Sequence, residues 1–160
     1  MSETALDSAG PEQTRELGEQ LGRALQAGDV LLLSGELGAG KTVFVQGLAR
    51  GLGFDGRVSS KSFVLMGEYA GRIKLYHADL YRLDQPEQAE ELALEETAAD
   101  GALAIEWPER AEGLLPEAAL RIDFEVLDEE HRRLHLRANS ERGETLLEAF
   151  RHTARPGTPS

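Results

Sequence analysis

The chain has 160 residues, of which 41% are apolar and 29% are charged, and its formal net charge is −12 at pH 7. This length and apolar content suffice for one globular domain with its own core. The sequence contains no cysteine, which excludes disulfides, thiolate metal sites and cysteine nucleophiles. The first residues are polar and acidic, and the longest apolar run, residues 30–33, is far too short to span a bilayer. We therefore expect a cytoplasmic protein without a membrane segment.

The charge is unevenly distributed along the chain. Residues 131–160 hold six arginines and three glutamates, whereas the acidic excess lies before them. Because phosphate binding depends on lysine and arginine displacing counterions, an acidic chain is not expected to bind nucleic acid tightly by itself. The arginine-rich end either contacts phosphate or an acidic partner, or it carries ordinary surface arginines. The second interpretation is favoured because no block of five like charges occurs.

The first third of the chain predicts helix, strand, turn and helix. Helical spacing of apolar residues predicts a first helix that follows Pro11 and ends near residues 27–29, with Thr14 or a neighbour as its cap. The continuous apolar run of residues 30–34 is typical of a strand buried on both faces of a parallel sheet. A glycine-rich turn then leads into a second predicted helix over residues 41–50.

The remainder of the chain alternates strand-like and helix-like segments. The predicted segments are a hairpin of residues 63–69 and 73–81, a helix over 86–99, a strand over 102–105, a hairpin of 119–126 and 133–137, and a helix over 141–150. We predict one domain over residues 1–152, a three-layer α/β fold whose mixed, mainly parallel sheet includes β-hairpins. The proline-containing residues 153–160 are predicted to be a disordered tail.

The glycine-rich turn carries the clearest chemical signal. Residues 35–42 are Gly-Glu-Leu-Gly-Ala-Gly-Lys-Thr and match the P-loop pattern G-x-x-x-x-G-K-[ST] at every fixed position. Glycines let successive backbone N–H groups point into one concavity that binds phosphate oxygens, aided by the N-terminus of the next helix. The strand before and the helix after favour a nucleotide-binding P-loop over a turn that only joins them. The predicted nucleotide-binding residues of this loop are Leu37, Gly38, Ala39, Gly40, Lys41 and Thr42.

The P-loop chemistry assigns separate roles to its last two residues. Lys41 is expected to place a positive charge on the β- and γ-phosphates, and the Thr42 hydroxyl to coordinate Mg²⁺. A P-loop NTPase also needs an acid for the metal, and in open α/β sheets ligands bind at the carboxyl ends of strands. Glu106 is therefore the first candidate and Asp79 the second; otherwise each is an ordinary surface carboxylate. Trp107, the only tryptophan, either packs half-buried or lies near the nucleotide.

Other polar residues carry weaker signals. The hydroxyls of Ser59, Ser60 and Ser62 indicate either a switch that reads the γ-phosphate through the metal or simply a polar loop. His77 is either catalytic or structural, and the structural interpretation is favoured because it has no partner at metal-ligand spacing. The only asparagine, Asn139, is followed by serine, so the N-K-x-D element for guanine is missing and ATP is favoured over GTP.

Taken together, these stretches resemble one family, TsaE (also called YjeE), the small bacterial ATPase of the tRNA threonylcarbamoyladenosine pathway. The resemblance covers residues 11–150. Besides the P-loop, it is carried by Thr14-Arg-Glu-Leu-Gly18, Val58-Ser-Ser-Lys-Ser-Phe63, Tyr76-His-Ala-Asp-Leu-Tyr-Arg82 and Ile105-Glu-Trp-Pro-Glu109. The second of these segments departs from the family's Val-Thr-Ser-Pro-Thr-Phe, because Lys61 replaces the proline.

The resemblance implies a P-loop NTPase-like fold and slow, Mg²⁺-dependent ATP hydrolysis that partners stimulate. It also implies that the protein acts together with TsaD- and TsaB-like proteins, which attach the threonylcarbamoyl group to adenosine in tRNA. The protein is then expected to contact tRNA only through this complex. The implied metal residues are Thr42 and Glu106, the implied catalytic residues are Lys41 and Asp79, and the implied switch hydroxyls are Ser59, Ser60 and Ser62. Thr14 and either Arg132 or Arg133 are expected to lie near the nucleotide.

Two other functions share the same loop. A small-molecule kinase needs an arginine-bearing lid and an acceptor pocket, and the arginines of this chain cluster at its far end instead. A nucleotide-sensing adaptor would bind ATP or ADP and change its affinity for a partner without meaningful hydrolysis.

Overall fold

The structure is a computed structural model that describes residues 2–54, 66–91, 93, 94, 96 and 99–151. Its centre is one seven-stranded sheet. The strands are β1 (Ser2–Ser8), β2 (Val30–Ser34), β3 (Met66–Ala70), β4 (Lys74–Asp79), β5 (Gly101–Glu106), β6 (Leu120–Val126) and β7 (Arg132–Ala138). Across the sheet their order is β1-β7-β6-β2-β5-β4-β3.

The sheet is mixed, with a parallel centre. Strands β6, β2, β5 and β4 run parallel to one another, and β3, β7 and β1 continue the sheet at its two edges through antiparallel pairs. β5 is buried along its whole length, and β2 is buried or half-buried throughout. Their continuous apolar sequences are explained by this position, because a central parallel strand is covered on both faces. The predicted fold class is confirmed.

Helices cover both faces of the sheet and produce the predicted three layers. The helices are α1 (Pro11–Ala24), α2 (Lys41–Gly51), α3 (Gln88–Glu91) and α4 (Glu141–Leu147), with 3₁₀ turns at Pro108–Ala111 and Glu148–Phe150. One hydrophobic cluster joins α1, α2 and α4 to one face of the sheet, and a second joins α3 and the first 3₁₀ turn to the other face. None of the helices in the described part of the chain has the length and apolar character needed to cross a membrane.

Helices α1 and α2 pack unusually closely through glycine. A Cβ atom added to Gly47 would lie 2.1 Å from the carbonyl oxygen of Arg15, and one added to Gly18 would lie 2.2 Å from that of Phe44. Gly22 and Gly51 are equally crowded by backbone atoms of the opposite helix. The two helix backbones are therefore in direct contact, which fixes α2 and the P-loop at its N-terminus against α1.

Three local predictions need correction. Thr14 does not cap the first helix, because that helix already begins at Pro11, with Gly10 as its N-cap. The helix predicted over residues 86–99 is not continuous, since Ala93 has a φ angle of 50° and only the short α3 precedes it. Residues 2–8, for which no element was predicted, form edge strand β1, which pairs with β7 and buries Leu6. The predicted tail, residues 153–160, lies outside the described residues.

Candidate functional site

The P-loop joins β2 to α2 at the carboxyl ends of the parallel strands. Gly38 and Gly40 have φ angles of 79° and 101°, a region that L side chains rarely adopt. The Ala39 N–H donates to the carbonyl of Glu36 at 3.1 Å, and the Phe44 N–H donates to that of Gly40 at 2.9 Å. The loop is therefore a tight curl that begins an 11-residue helix, as the motif predicts.

Glu106 lies beside this loop because of the sheet topology. It is the last residue of β5, and its neighbours across the sheet are Leu33 of β2 and Asp79 of β4. The Thr42 hydroxyl donates a hydrogen bond to Glu106 Oε2 at 3.3 Å, and His77 Nε2 is hydrogen-bonded to the same oxygen. Glu106 is only 3% exposed, so its carboxylate relies on these partners rather than on bulk water.

The donor set at Glu106 and Thr42 fits Mg²⁺. Magnesium prefers oxygen ligands and is usually held by one or two carboxylates together with water and substrate phosphates. Here a carboxylate and a hydroxyl meet at the N-terminus of α2, with the Asp79 carboxylate lining the same cavity. Among the described residues no group of three or more acids and histidines is placed to hold a metal by itself.

Lys41 is held inside the site by two neighbours. Its Nζ donates to the carbonyl of Gly35 and lies 3.8 Å from the centroid of the Trp107 ring, an attractive cation–π contact. Burial lowers the pKa of Lys41, which is 4% exposed, and the negative charge of Glu106 is the largest of the effects that oppose this shift.

Trp107 reaches Lys41 because its backbone turns sharply after β5. Its φ angle is 60°, in the left-handed region, and its N–H donates to the carbonyl of Leu33. The indole also packs against Tyr81, with ring centroids 5.0 Å apart. Trp107 is thus half-buried and also in contact with the P-loop lysine, and its position near a nucleotide stays a prediction.

One cavity of about 230 Å³ brings the predicted loop, metal and catalytic residues together. Its lining residues are Leu37, Gly38, Ala39, Gly40, Lys41, Thr42, Val43, Asp79, Glu106 and Trp107. Asp79 is exposed, and its Oδ1 accepts a hydrogen bond from the Tyr81 N–H at 3.0 Å. The three serines of the predicted switch, Ser59, Ser60 and Ser62, lie outside the described residues.

A smaller cavity of about 100 Å³ lies on the other side of the loop, between Thr14 and Arg132. Arg132 Nη2 donates to the carbonyl of Gly38 at 3.1 Å, and its Nη1 donates to that of Asp128 at 2.6 Å. Thr14 is 2% exposed, and its hydroxyl is 2.7 Å from that of Ser8. Thr14 and Arg132 are therefore both placed next to the P-loop backbone.

Arg133 is placed away from the P-loop. Successive residues of a strand point to opposite faces of the sheet, and Arg133 makes a two-point contact with Asp7 of β1, at 2.7 and 3.2 Å. Of the two arginines that the sequence offered as alternatives, the structure brings only Arg132 to the loop.

His77 lies beside Glu106, although the sequence interpretation favoured a structural over a catalytic role for it. Its contact with Glu106 arises from parallel pairing between β4 and β5, which are separated in the chain. The signal that was available is its spacing from Asp79. Residues two apart on a strand share a face, so an acid at Asp79 that faces the site implies that His77 faces it too.

The strand, glycine-rich loop and helix, with an acid at the end of the neighbouring parallel strand, define a P-loop-type protein. A sequence model of the family described as "Threonylcarbamoyl adenosine biosynthesis protein TsaE" matches residues 8–134. The chain therefore belongs to the TsaE family, a family of tRNA threonylcarbamoyladenosine biosynthesis, and the resemblance carried by its motifs is confirmed.

Individual relatives agree with this assignment. The chain is 40% identical over 128 residues to the "tRNA threonylcarbamoyladenosine biosynthesis protein TsaE" of Treponema pallidum (strain Nichols), which covers 79% of this chain and 95% of the relative. It is 36% identical over 140 residues to the protein of the same name from Bacillus subtilis (strain 168), covering 86% and 87% of the two chains. The crystal structure of Bacillus subtilis YdiB superimposes with a TM-score of 0.78 at 33% identity, over 94% of this chain and 96% of that one.

Proposed function

We propose that this protein binds Mg²⁺–ATP at the P-loop and hydrolyses it slowly, in the cytoplasm, to support threonylcarbamoyl transfer to adenosine of tRNA. The observation that carries the proposal is the meeting of Lys41, Thr42 and Glu106 in one cavity at the N-terminus of α2. The family membership supports the pathway, because the relatives are named for tRNA threonylcarbamoyladenosine biosynthesis.

In this proposal the protein contributes position and electrostatics rather than covalent chemistry. The backbone N–H groups of residues 38–42 bind the phosphate oxygens, and the Lys41 ammonium exchanges the Gly35 carbonyl for the β- and γ-phosphates. Thr42 and Glu106 hold Mg²⁺, which when bound supplies positive charge to the same phosphate oxygens. Asp79, at the exposed side of the cavity, orients the attacking water. The hydroxyls of Ser59, Ser60 and Ser62 remain predicted switch residues.

The cavity between Thr14 and Arg132 is proposed to receive the adenosine end of the nucleotide. It adjoins Gly38 and Gly40, so a nucleotide whose phosphates occupy the loop extends towards it. The Arg132 guanidinium donates to three backbone carbonyls, those of Asp128, His131 and the loop residue Gly38, and supplies a planar, charged surface for the nucleotide.

Slow turnover and stimulation by TsaD- and TsaB-like partners complete the proposal. Among the described residues that line the larger cavity there is no arginine, and an arginine that stabilises the transition state accelerates hydrolysis by about 10³–10⁵ in related reactions. The isolated protein is therefore proposed to turn over slowly. We further propose that ATP hydrolysis drives a conformational cycle in the assembly, and that tRNA is contacted through the partners.

The test is ATP hydrolysis by Lys41→Ala and Glu106→Gln, each with and without the partner proteins. Each substitution removes one charge from the site, and we expect losses of about 10²–10³-fold in turnover. Glu112→Gln, the same change at an exposed position, serves as the matched control and should retain the wild-type rate. Wild-type rates in both site variants would contradict the assignment.

Two outcomes would favour the other functions that share a P-loop. ATP binding without turnover, even in the full assembly, indicates a nucleotide-sensing adaptor. Transfer of phosphate to a metabolite faster than to water indicates a small-molecule kinase.

A further inference from the structure

We propose that His77 is a positioning residue that fixes the Glu106 carboxylate for Mg²⁺. The proposal rests on the proposed function, because the metal belongs to the same nucleotide site. It gives a specific role to a residue for which the sequence interpretation favoured a purely structural one.

The sheet register explains how His77 reaches Glu106. His77 pairs with Ala104 on β5, and Glu106 lies two residues further along the same face. On the other side of β4 the residue opposite His77 is Gly67. Because His77 has alanine and glycine as its lateral neighbours, neither neighbour competes with Glu106 for the imidazole N–H.

The hydrogen-bond pattern gives His77 a specific effect. Thr42 and His77 both contact the same oxygen, Glu106 Oε2, so two side chains from different elements hold this oxygen in place. A buried carboxylate needs such partners, because burial without them costs several kcal/mol. Carboxylates that bind metals are commonly held by hydrogen bonds of this kind, and loss of the outer partner typically weakens metal affinity or activity by about 10–100-fold.

A purely structural histidine makes a different prediction. If His77 only fills space and stabilises the end of β4, its substitution changes folding stability, or changes ATP affinity equally with and without metal. If His77 positions Glu106, its substitution reduces the metal-dependent part of ATP affinity and leaves the metal-free part intact.

The experiment measures ATP affinity by calorimetry, in Mg²⁺ and in EDTA, for two amide variants. His77→Gln retains an N–H donor at about the reach of the imidazole Nε2, whereas the shorter His77→Asn does not. Tyr76→Phe is the matched control, because it removes a 2.8 Å hydrogen bond to Asp100 from the adjacent residue of the same strand. We expect the gain in ATP affinity on adding Mg²⁺ to be about 10–100-fold smaller in His77→Asn than in wild type. The gain should stay near the wild-type value in His77→Gln and Tyr76→Phe, and so should the ATP affinity of every variant in EDTA.

Several outcomes would overturn the proposal. One is an ATP affinity in His77→Asn that depends on Mg²⁺ as strongly as in wild type. Another is an equal loss of ATP affinity in the Asn and Gln variants, and a third is a loss of ATP affinity in His77→Asn that is equal with and without Mg²⁺. A wild-type protein whose ATP affinity does not respond to Mg²⁺ contradicts the proposed function as well, so the two failures are distinguishable.

A measurement on the wild-type protein covers the case in which the Asn variant does not fold. Addition of Mg²⁺ to the ADP-bound protein should shift the NMR signals of the His77 ring and leave those of His131 and His135 in place. An unchanged His77 signal overturns the proposal.

Discussion

The contacts of Lys41 show how a single residue favours the proposed binding of phosphate at this site. The ammonium is removed from water, yet its nearest contacts are one backbone carbonyl and the face of an indole. Neither partner carries a negative charge, whereas a phosphate does, so a phosphate attracts the ammonium more strongly than either of them. In the proposed function, phosphate binding therefore replaces weak contacts with a strong one, without a new desolvation cost for the lysine.

The two neighbouring arginines of β7 provide a prediction at the residue scale. Arg132→Gln removes the guanidinium at Gly38, and we expect ATP affinity to fall about tenfold, because a hydrogen bond to a charged group contributes about 1.5 kcal/mol. Arg133→Gln, the same change one residue along and on the opposite face, should leave the affinity within about twofold of wild type. The measurement is equilibrium binding of ATP, and equal effects of the two changes would contradict the placement of the adenosine end.

At the scale of elements, the site depends on how five elements are held together. Parallel pairing of β5 with β2 and β4 brings Glu106 beside the P-loop and beside Asp79. The glycine contact between α1 and α2 fixes the helix whose N-terminus the phosphates are proposed to meet. The position of the loop is therefore set by backbone packing well away from the loop itself.

Gly47→Ala tests this packing. In an open helix the change from glycine to alanine is stabilising by about 1 kcal/mol, but here the added carbon would lie 2.1 Å from a backbone oxygen. We expect a loss of about 3 kcal/mol in the free energy of unfolding, since overpacking that moves backbone is costly. Urea denaturation measures it.

The control for Gly47 is Gly10→Ala. Gly10 has no atom within 4 Å of an added Cβ and has an extended backbone. Because Gly10 is the N-cap of α1, its substitution should cost about 0.5–1 kcal/mol, the usual difference between glycine and alanine at that position. A stability gain in Gly47→Ala would show that the two helices can separate without penalty.

At the scale of the whole molecule, the fold neutralises the arginine-rich end of the chain. Arg133 pairs with Asp7, Arg137 with Glu3, and Arg142 with the buried Asp29. The acids come from the beginning of the chain and from its first third, so charges far apart in sequence are adjacent in space. This pairing supports the interpretation of these arginines as ordinary surface and structural residues rather than a surface for phosphate.

The pairing of these arginines with carboxylates predicts that the isolated protein does not bind tRNA tightly. With a net charge of −12, we expect a dissociation constant weaker than about 10⁻⁴ M at moderate salt, the upper end of non-specific binding by proteins that do bind nucleic acid. Fluorescence anisotropy of labelled tRNA measures it, and Arg137→Gln should change nothing. Tight, salt-sensitive binding that Arg137→Gln weakens would contradict the prediction.

Much of the local structure could be predicted because its causes are local. The P-loop is a contiguous pattern whose glycines, lysine and threonine specify one backbone curl. Strand β2 is visible as an uninterrupted apolar run, and the two hairpins are marked by strand-like stretches separated by short turns. Strand β1 was missed because its polar sequence at an edge of the sheet buries Leu6 and little else.

Which polar residues meet the loop was decided by the tertiary structure. The contact of His77 with Glu106 and the choice of Arg132 over Arg133 both depend on strand register and on which face of a strand a side chain occupies. These are set when distant segments pair, and a shift of one residue would send every side chain to the other face. The sequence alone determined the loop, because its pattern is contiguous, whereas the lateral pairing of strands determined the residues that surround it.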